Sequence, residues 1–235
     1  MNLESARVLI TGGTSGIGRA IAVSLVGAGA RVAVTGRNEE RLKETAKALQ
    51  VLPIRADVTD ERDVERTFQE VLQAFGHLDV LVNNAGYGFF TPLVTMDRAL
   101  FDAVFQTNVT GAMLMGREAA RHFVSRGGGN IVNIASTSAL RGAANGTAYY
   151  ASKFALRGMT ECWRAELRSH NIRVFLINPS EVLTNFASVS SRRQDTDNPT
   201  KLRPEDVAHM VKAVLEMDDR GFTTELTMFA TNPKD

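Results

Sequence analysis

Short apolar stretches recur along the chain, separated by longer segments whose apolar residues return at a helical period. The stretches Arg7–Ile10, Arg31–Thr35, Val51–Arg55, Leu78–Val82, Asn130–Ala135, Ile172–Asn178 and Thr223–Phe229 read as buried strands. Between them, Ala20–Ala28, Glu39–Leu49 and residues 61–75 predict helices, the last with Val64, Phe68, Val71, Leu72 and Phe75 on one face. Residues 97–125 read as one long helix, with Leu100, Val104 and Asn108 along one row. Two more helices follow, one carrying Tyr149 and running to about Ser169, the other opening at Pro204 with Glu205 and Asp206 in its first turn. Strands that alternate with helices throughout predict an α/β chain whose parallel sheet is covered on both faces. A length of 235 residues suffices for one well-buried domain and is short for two.

Chemistry concentrates at the strand ends. After the first strand comes Thr11-Gly12-Gly13-Thr14-Ser15-Gly16-Ile17-Gly18, then a helix. Glycines there allow tight turning and close backbone approach to a pyrophosphate, and the helix start offers unpaired N–H groups. Tyr149 and Lys153 stand four apart, hence one helical turn apart on a shared face. Free tyrosine, with a pKa of about 10, is a poor proton donor or acceptor at neutral pH, and a nearby ammonium favours the phenolate. Ser136 ends an apolar strand, where a hydroxyl faces the crevice in which open α/β sheets bind ligands. Ser138 and Tyr150 compete for the same roles, and the spacing between serine and Y-x-x-x-K favours Ser136 and Tyr149.

With the glycine turn, Asn83-Asn84-Ala85-Gly86 after the fourth strand, Ser136 and Tyr149-x-x-x-Lys153 in that order, the chain resembles the short-chain dehydrogenase/reductase family from about Ala6 to about Val214. The resemblance implies a single Rossmann-fold domain over residues 1–235, doubly wound with about seven strands. Its cofactor half would run to about residue 130 and its catalytic and substrate half from about 131. It implies carbonyl–alcohol interconversion with Tyr149 as acid and base, Ser136 on the substrate oxygen, Lys153 beside Tyr149 and on the nicotinamide ribose, and Asn108, in a helix distortion, ordering a water. Cofactor contacts are implied for Gly12, Thr14, Ser15, Gly16, Ile17, Gly18, Asp57 (on the adenine), Val58, Asn84, Ala85, Gly86, Pro179, Val182 and Thr184. At the end of the second strand Gly36 stands where an acid would hold a ribose hydroxyl, and Arg37 follows. That implies NADP(H), with NAD(H) as the alternative. Ser180 replaces the family's usual glycine after Pro179, which opens a question about the local backbone path. Ser138, Phe89 and Leu140 are candidates for lining the substrate site, beneath a polar loop at residues 185–203.

Composition narrows the partners. A net charge of +1 gives no electrostatic case for nucleic acid or anionic membrane, and no apolar run is long enough to span a bilayer. The single cysteine, Cys162, forms no internal disulfide, and a reducing cytoplasmic setting fits. His77, His122, His170 and His209 lack metal-ligand spacing and read as surface or helix-end residues, so no metal is expected. The expected partner is a small carbonyl or alcohol, with 3-oxoacyl thioesters the leading class by family frequency. Family habit implies a homodimer or homotetramer through residues 97–125 and 147–169. Trp163, Met113 and Met115 lie there, with core packing as their default reading. A nucleotide-sensing or assembly module of the same fold with little turnover is the competing reading. The filled tyrosine and lysine positions speak against it.

Overall fold

The computed structural model describes residues 1–184, 186 and 198–232. Seven strands form one parallel sheet: β1 (Arg7–Ile10), β2 (Arg31–Gly36), β3 (Leu52–Arg55), β4 (Val80–Asn83), β5 (Gly129–Ile134), β6 (Ile172–Pro179) and β7 (Glu225–Met228), in the spatial order β3-β2-β1-β4-β5-β6-β7. The helices are α1 (Gly16–Gly27), α2 (Glu39–Leu49), α3 (Glu61–Phe75), α4 (Arg98–Phe105), α5 (Ala112–Arg126), α6 (Thr147–Leu167) and α7 (Pro204–Glu216). Alternate residues of each strand enter opposite cores, because side chains in a strand point to opposite faces. Val8, Ile10, Val32, Val34, Val132 and Phe175 pack with α1, α2 and α7, while Leu9, Ala33, Leu81, Ile131 and Val174 pack with α3 and α5.

Several element ends differ from the sequence reading. Helix α1 starts at Gly16 rather than Ala20, since tertiary contacts hold a glycine-rich first turn that helix propensity disfavours. The cap of α3 is Asp60, which accepts from the Arg62 and Asp63 N–H groups, and Asp57 closes a turn with Thr59 just before it. The long helix read from periodicity over 97–125 is divided into α4 and α5 by a π turn at Gln106–Gly111, the distortion that the family resemblance implies at Asn108, and Leu100 on its expected buried row is 40% exposed. Of the histidines, His122 accepts the Leu78 N–H at 3.1 Å and His77 lies 2.9 Å from an Arg7 nitrogen, so both are structural and half-buried. Met115 is buried and the Trp163 ring fills the space beside Gly116, which uses both residues within the chain.

A buried polar chain ties helices to the sheet centre. Asn83 Nδ2 donates to Asn133 Oδ1 at 3.0 Å and to the Ala112 carbonyl, and Asn133 Nδ2 donates to Thr160 Oγ1 at 2.8 Å. These bonds fix α5 and α6 against β4 and β5, where the site is built. Residues 185 and 187–197 of the expected polar loop lie outside the described residues. Among the described residues no helix is long and apolar enough to cross a membrane.

Candidate active site

Helix α6 carries Tyr149 and Lys153 past the carboxyl end of β5. Lys153 is 6% exposed, its Nζ donates to the Ile134 carbonyl at 3.0 Å, and it lies 5.7 Å from the centre of the Tyr149 ring. Burial pushes its ammonium down from 10.5 to about 8. Ser136 sits two residues beyond that carbonyl, in extended backbone at the start of a short 3₁₀ turn, Thr137–Ala139. Its Oγ accepts the Ser138 N–H at 3.1 Å, which orients the hydroxyl. The structure separates the competing tyrosines. The Tyr150 ring packs on the helix entrance, where a Cβ added at Gly146 would fall 2.2 Å from Tyr150 Cδ2, while Tyr149 shares its face with Lys153.

Asn108 occupies the π turn and is 1% exposed. Its Oδ1 accepts the Tyr87 N–H at 3.0 Å, and its Nδ2 donates to the Tyr87 carbonyl at 2.8 Å and to Ser152 Oγ at 3.0 Å. Ser152 in turn donates to the Tyr149 carbonyl at 2.7 Å. Asn108 is thereby linked to the tyrosine's own backbone. A Cβ built on Gly86 would lie 2.9 Å from Asn108 Oδ1 and 3.8 Å from Lys153 Nζ, so Gly86 borders both groups.

The glycine turn lies across the ends of β1 and β4. Gly12 and Gly16 have φ of +66° and +51°, a region that favours glycine. At Gly18 a Cβ would fall 2.4 Å from Asn84 Nδ2 and 2.5 Å from the Gly12 carbonyl oxygen. Asn84 donates through Nδ2 to the Thr11 and Gly12 carbonyls, and the Asn84 and Ala85 N–H groups both donate to Thr11 Oγ1. The Asn84 side chain therefore shapes the turn rather than reaching out from it. Ser15 precedes α1 in extended backbone and Ile17 is half-buried. The first turn of α1 holds no acidic side chain, which leaves its positive dipole end for an anion.

Beyond the turn, a Cβ at Gly36 would lie 3.1 Å from the Thr14 methyl, so Thr14 occupies the neighbourhood an acid at 36 would need. Arg37 is exposed and stands 3.7 Å from the Asp57 carboxylate. Val58 turns its side chain inward, 6% exposed and packed on Gly111 of the π turn. Its side chain thus packs against the helix distortion that carries Asn108. On the opposite bank, Pro179 ends β6, Val182 bridges Leu202, and Thr184 lies beside Gly16. Ser180 has no left-handed backbone, and its N–H donates to the Met228 carbonyl at 2.8 Å, extending the β6–β7 ladder. Glu181 pairs with Lys201 at 2.9 Å.

Phe90, not Phe89, reaches the tyrosine: its ring centre is 5.5 Å from that of Tyr149, and Phe186 stands 5.4 Å away. The sequence places Gly88-Phe89-Phe90 at the mouth of the site and Phe186 in the polar loop, but which of the two adjacent aromatics faces inward depends on the loop path. Phe89 and Ser138 are half-buried, and Leu140 is 39% exposed. The set of donors at the start of α1, the open glycine turn and the Arg37 guanidinium fits a dinucleotide stretched from Arg37 to Tyr149. Among the described residues no group of three metal-ligating side chains occurs.

Residues 6–195 match the family model described as short chain dehydrogenase. L-xylulose reductase of Caenorhabditis elegans is 37% identical over 94% of this chain and 92% of its own length. The 3-ketoacyl-(acyl-carrier-protein) reductase of Brucella melitensis, solved with NADH, superposes with a TM-score of 0.90 at 30% identity, covering 97% of this chain and 98% of that one. An alcohol dehydrogenase from Thermococcus sibiricus, solved with 5-hydroxy-NADP, gives a TM-score of 0.89 at 26% identity over 99% of this chain and 100% of that one.

Proposed function

The chain belongs to the short-chain dehydrogenase family of oxidoreductases, which interconvert carbonyls and alcohols with a nicotinamide cofactor, and we propose that Tyr149 is its proton donor and acceptor. One observation carries this assignment: the buried Lys153 ammonium lies one turn from Tyr149, anchored to the strand end that presents Ser136. An ammonium in that position favours the phenolate, which makes the Tyr149 hydroxyl a usable acid in reduction and base in oxidation. Ser136 donates to the substrate oxygen as negative charge develops there, an electrostatic stabilisation aimed at the transition state. Asn108 positions the group through Tyr87 and Ser152. The nicotinamide, when bound, supplies the hydride.

The start of α1 would hold the pyrophosphate, and Arg37 a ribose 2′-phosphate, so NADP(H) is the preferred cofactor in this reading. Asp57 partners that guanidinium and would meet the adenine side of the cleft. Ala85, Gly86, Pro179, Val182 and Thr184 would border the nicotinamide half. Residues 1–235 act as one domain, and the active form is a cytoplasmic homodimer or homotetramer.

The test is oxidation of NADPH and of NADH against ketones, ketoses and oxoacyl thioesters, with Tyr149→Phe alongside. The variant should lose about 10²- to 10⁴-fold in kcat, the usual range for a removed general acid. Retained turnover in Tyr149→Phe removes the tyrosine from the reaction, and preference for NADH removes the role given to Arg37.

A further inference from the structure

We infer that the substrate site is an aromatic clamp for a flat, uncharged ring ketone, with Phe90 and Phe186 as specificity-determining residues. The inference rests on the carbonyl reading of Tyr149 given above and specifies its substrate class. Three rings converge on Gly88: a Cβ added there would lie 2.9 Å from Phe186 Cζ, 3.0 Å from Phe90 Cε2 and 3.1 Å from Tyr149 Cδ2. Only a residue without a side chain lets all three approach. The two phenylalanine rings are tilted against Tyr149 by 52° and 55°, at centre distances of 5.5 and 5.4 Å. That geometry suits attraction between aromatic edges and faces.

The wall has a fixed base. The Thr91 N–H donates to the Asn145 carbonyl at 2.8 Å, tying the loop that carries Phe90 to the loop that leads into α6. Among the described residues that flank Phe186 in the chain, Glu181 and Lys201 are paired with each other at 2.9 Å. Lys201 is thereby engaged by Glu181 and does not stand as an unpaired cation for an anionic carrier or a phosphate-bearing thioester. A ketose brings several hydroxyls that would need partners, and phenyl rings supply none, so their burial is unfavourable. A flat apolar ring instead meets three aromatic surfaces, and its carbonyl oxygen is left for Tyr149 and Ser136. The clamp thus selects by shape and by the cost of desolvating polar substrates.

The full chain saturated with NADP⁺ is titrated calorimetrically with 1-tetralone, with xylulose and with the N-acetylcysteamine thioester of acetoacetate. The ring ketone should bind at least ~10-fold more tightly than either of the others, and Phe90→Ala and Phe186→Ala should each weaken it by roughly 10-fold, within the range one apolar pocket contact commands. Phe90→Leu keeps an apolar wall without the ring and should recover part of the loss, and NADP⁺ affinity reports that each variant is folded. Equal or tighter binding of xylulose or the thioester, absence of ring-ketone binding, or indifference to both alanine variants overturns the clamp. Turnover is measured separately: ring-ketone binding that survives Tyr149→Phe while reduction stops supports both readings. Binding without any Tyr149-dependent reduction supports the clamp and removes the catalytic reading alone.

Discussion

At the scale of single residues the site is governed by what burial does to Lys153. A fall in its pKa from 10.5 to about 8 corresponds to about 3 kcal/mol of folding free energy charged against the ammonium form at neutral pH. The sign follows from proton counts. Between about pH 8 and 10.5 the unfolded chain binds the proton and the folded chain releases it, so this penalty is full below pH 8 and fades as pH rises. Lys153→Met should abolish turnover yet hold or raise stability at pH 7, the gain being offset by about 1 kcal/mol for the lost bond to the Ile134 carbonyl. Its advantage over the natural chain should shrink between pH 8 and 10.5, read from urea midpoints at pH 7, 9 and 10.5. A difference independent of pH would show that the folded lysine titrates normally. Ser180 makes a second case. Its backbone is not left-handed and its N–H extends the ladder, so glycine relieves nothing there. Ser180→Gly should cost about 0.4–1 kcal/mol through the freer unfolded chain, measured by urea denaturation, with activity little changed.

Among elements, the decisive one is the π turn between α4 and α5. It turns the Asn108 carboxamide toward the Tyr87 backbone and Ser152. A regular helix would carry the same carboxamide elsewhere around its axis, because each π turn inserts one residue into the ladder. The turn is matched by Gly111, where a Cβ would strike Val58 Cγ2 at 2.6 Å. Asn108→Leu removes three bonds and leaves the half-buried N–H and carbonyl of Tyr87 without this partner. Thermal and urea unfolding should show a loss of at least ~2 kcal/mol. The kcat should fall more than cofactor affinity, since the link from Asn108 runs to Tyr149 through Ser152. A variant with unchanged kcat would reduce Asn108 to a helix-packing residue.

For the whole molecule, the strand order β3-β2-β1-β4-β5-β6-β7 reverses direction between β1 and β4. Connections there leave on opposite faces of the sheet, which opens a crevice at the strand ends. Thr11, Gly12, Asn84 and Ala85 close the floor of that crevice with four hydrogen bonds. A ligand that binds only this folded arrangement stabilises it by about 2.7 kcal/mol at one hundred times its Kd. NADPH should therefore raise Tm more than NADH at equal concentration, and Arg37→Ala should bring the two shifts together. Asp57→Asn, which removes the anion 3.7 Å from Arg37, should enlarge the NADPH shift. A larger shift with NADH in the natural chain would contradict the role of Arg37. Gly18→Ala should abolish both shifts, because its Cβ has no room between Asn84 and Gly12.

The order of strands and helices, the two-sided core and the order of the glycine turn, Ser136, Tyr149 and Lys153 were all determined by the sequence itself. Periodicity encodes burial, and a spacing of four encodes a shared helix face, so these follow from local pattern. Local pattern does not encode where the chain's contacts fall in space. Only the tertiary structure could decide that Phe90 rather than Phe89 meets Tyr149, that Val58 turns inward and that Tyr150 packs on Gly146. The same holds for His122 as an acceptor, for Asp60 as the cap of α3 and for Asn84 as a brace of the glycine turn, while the break in the helix over 97–125 was implied by the family resemblance at Asn108 and not by the periodicity. Each depends on a partner distant in sequence or on the path of a loop, and neither leaves a periodic trace in the chain.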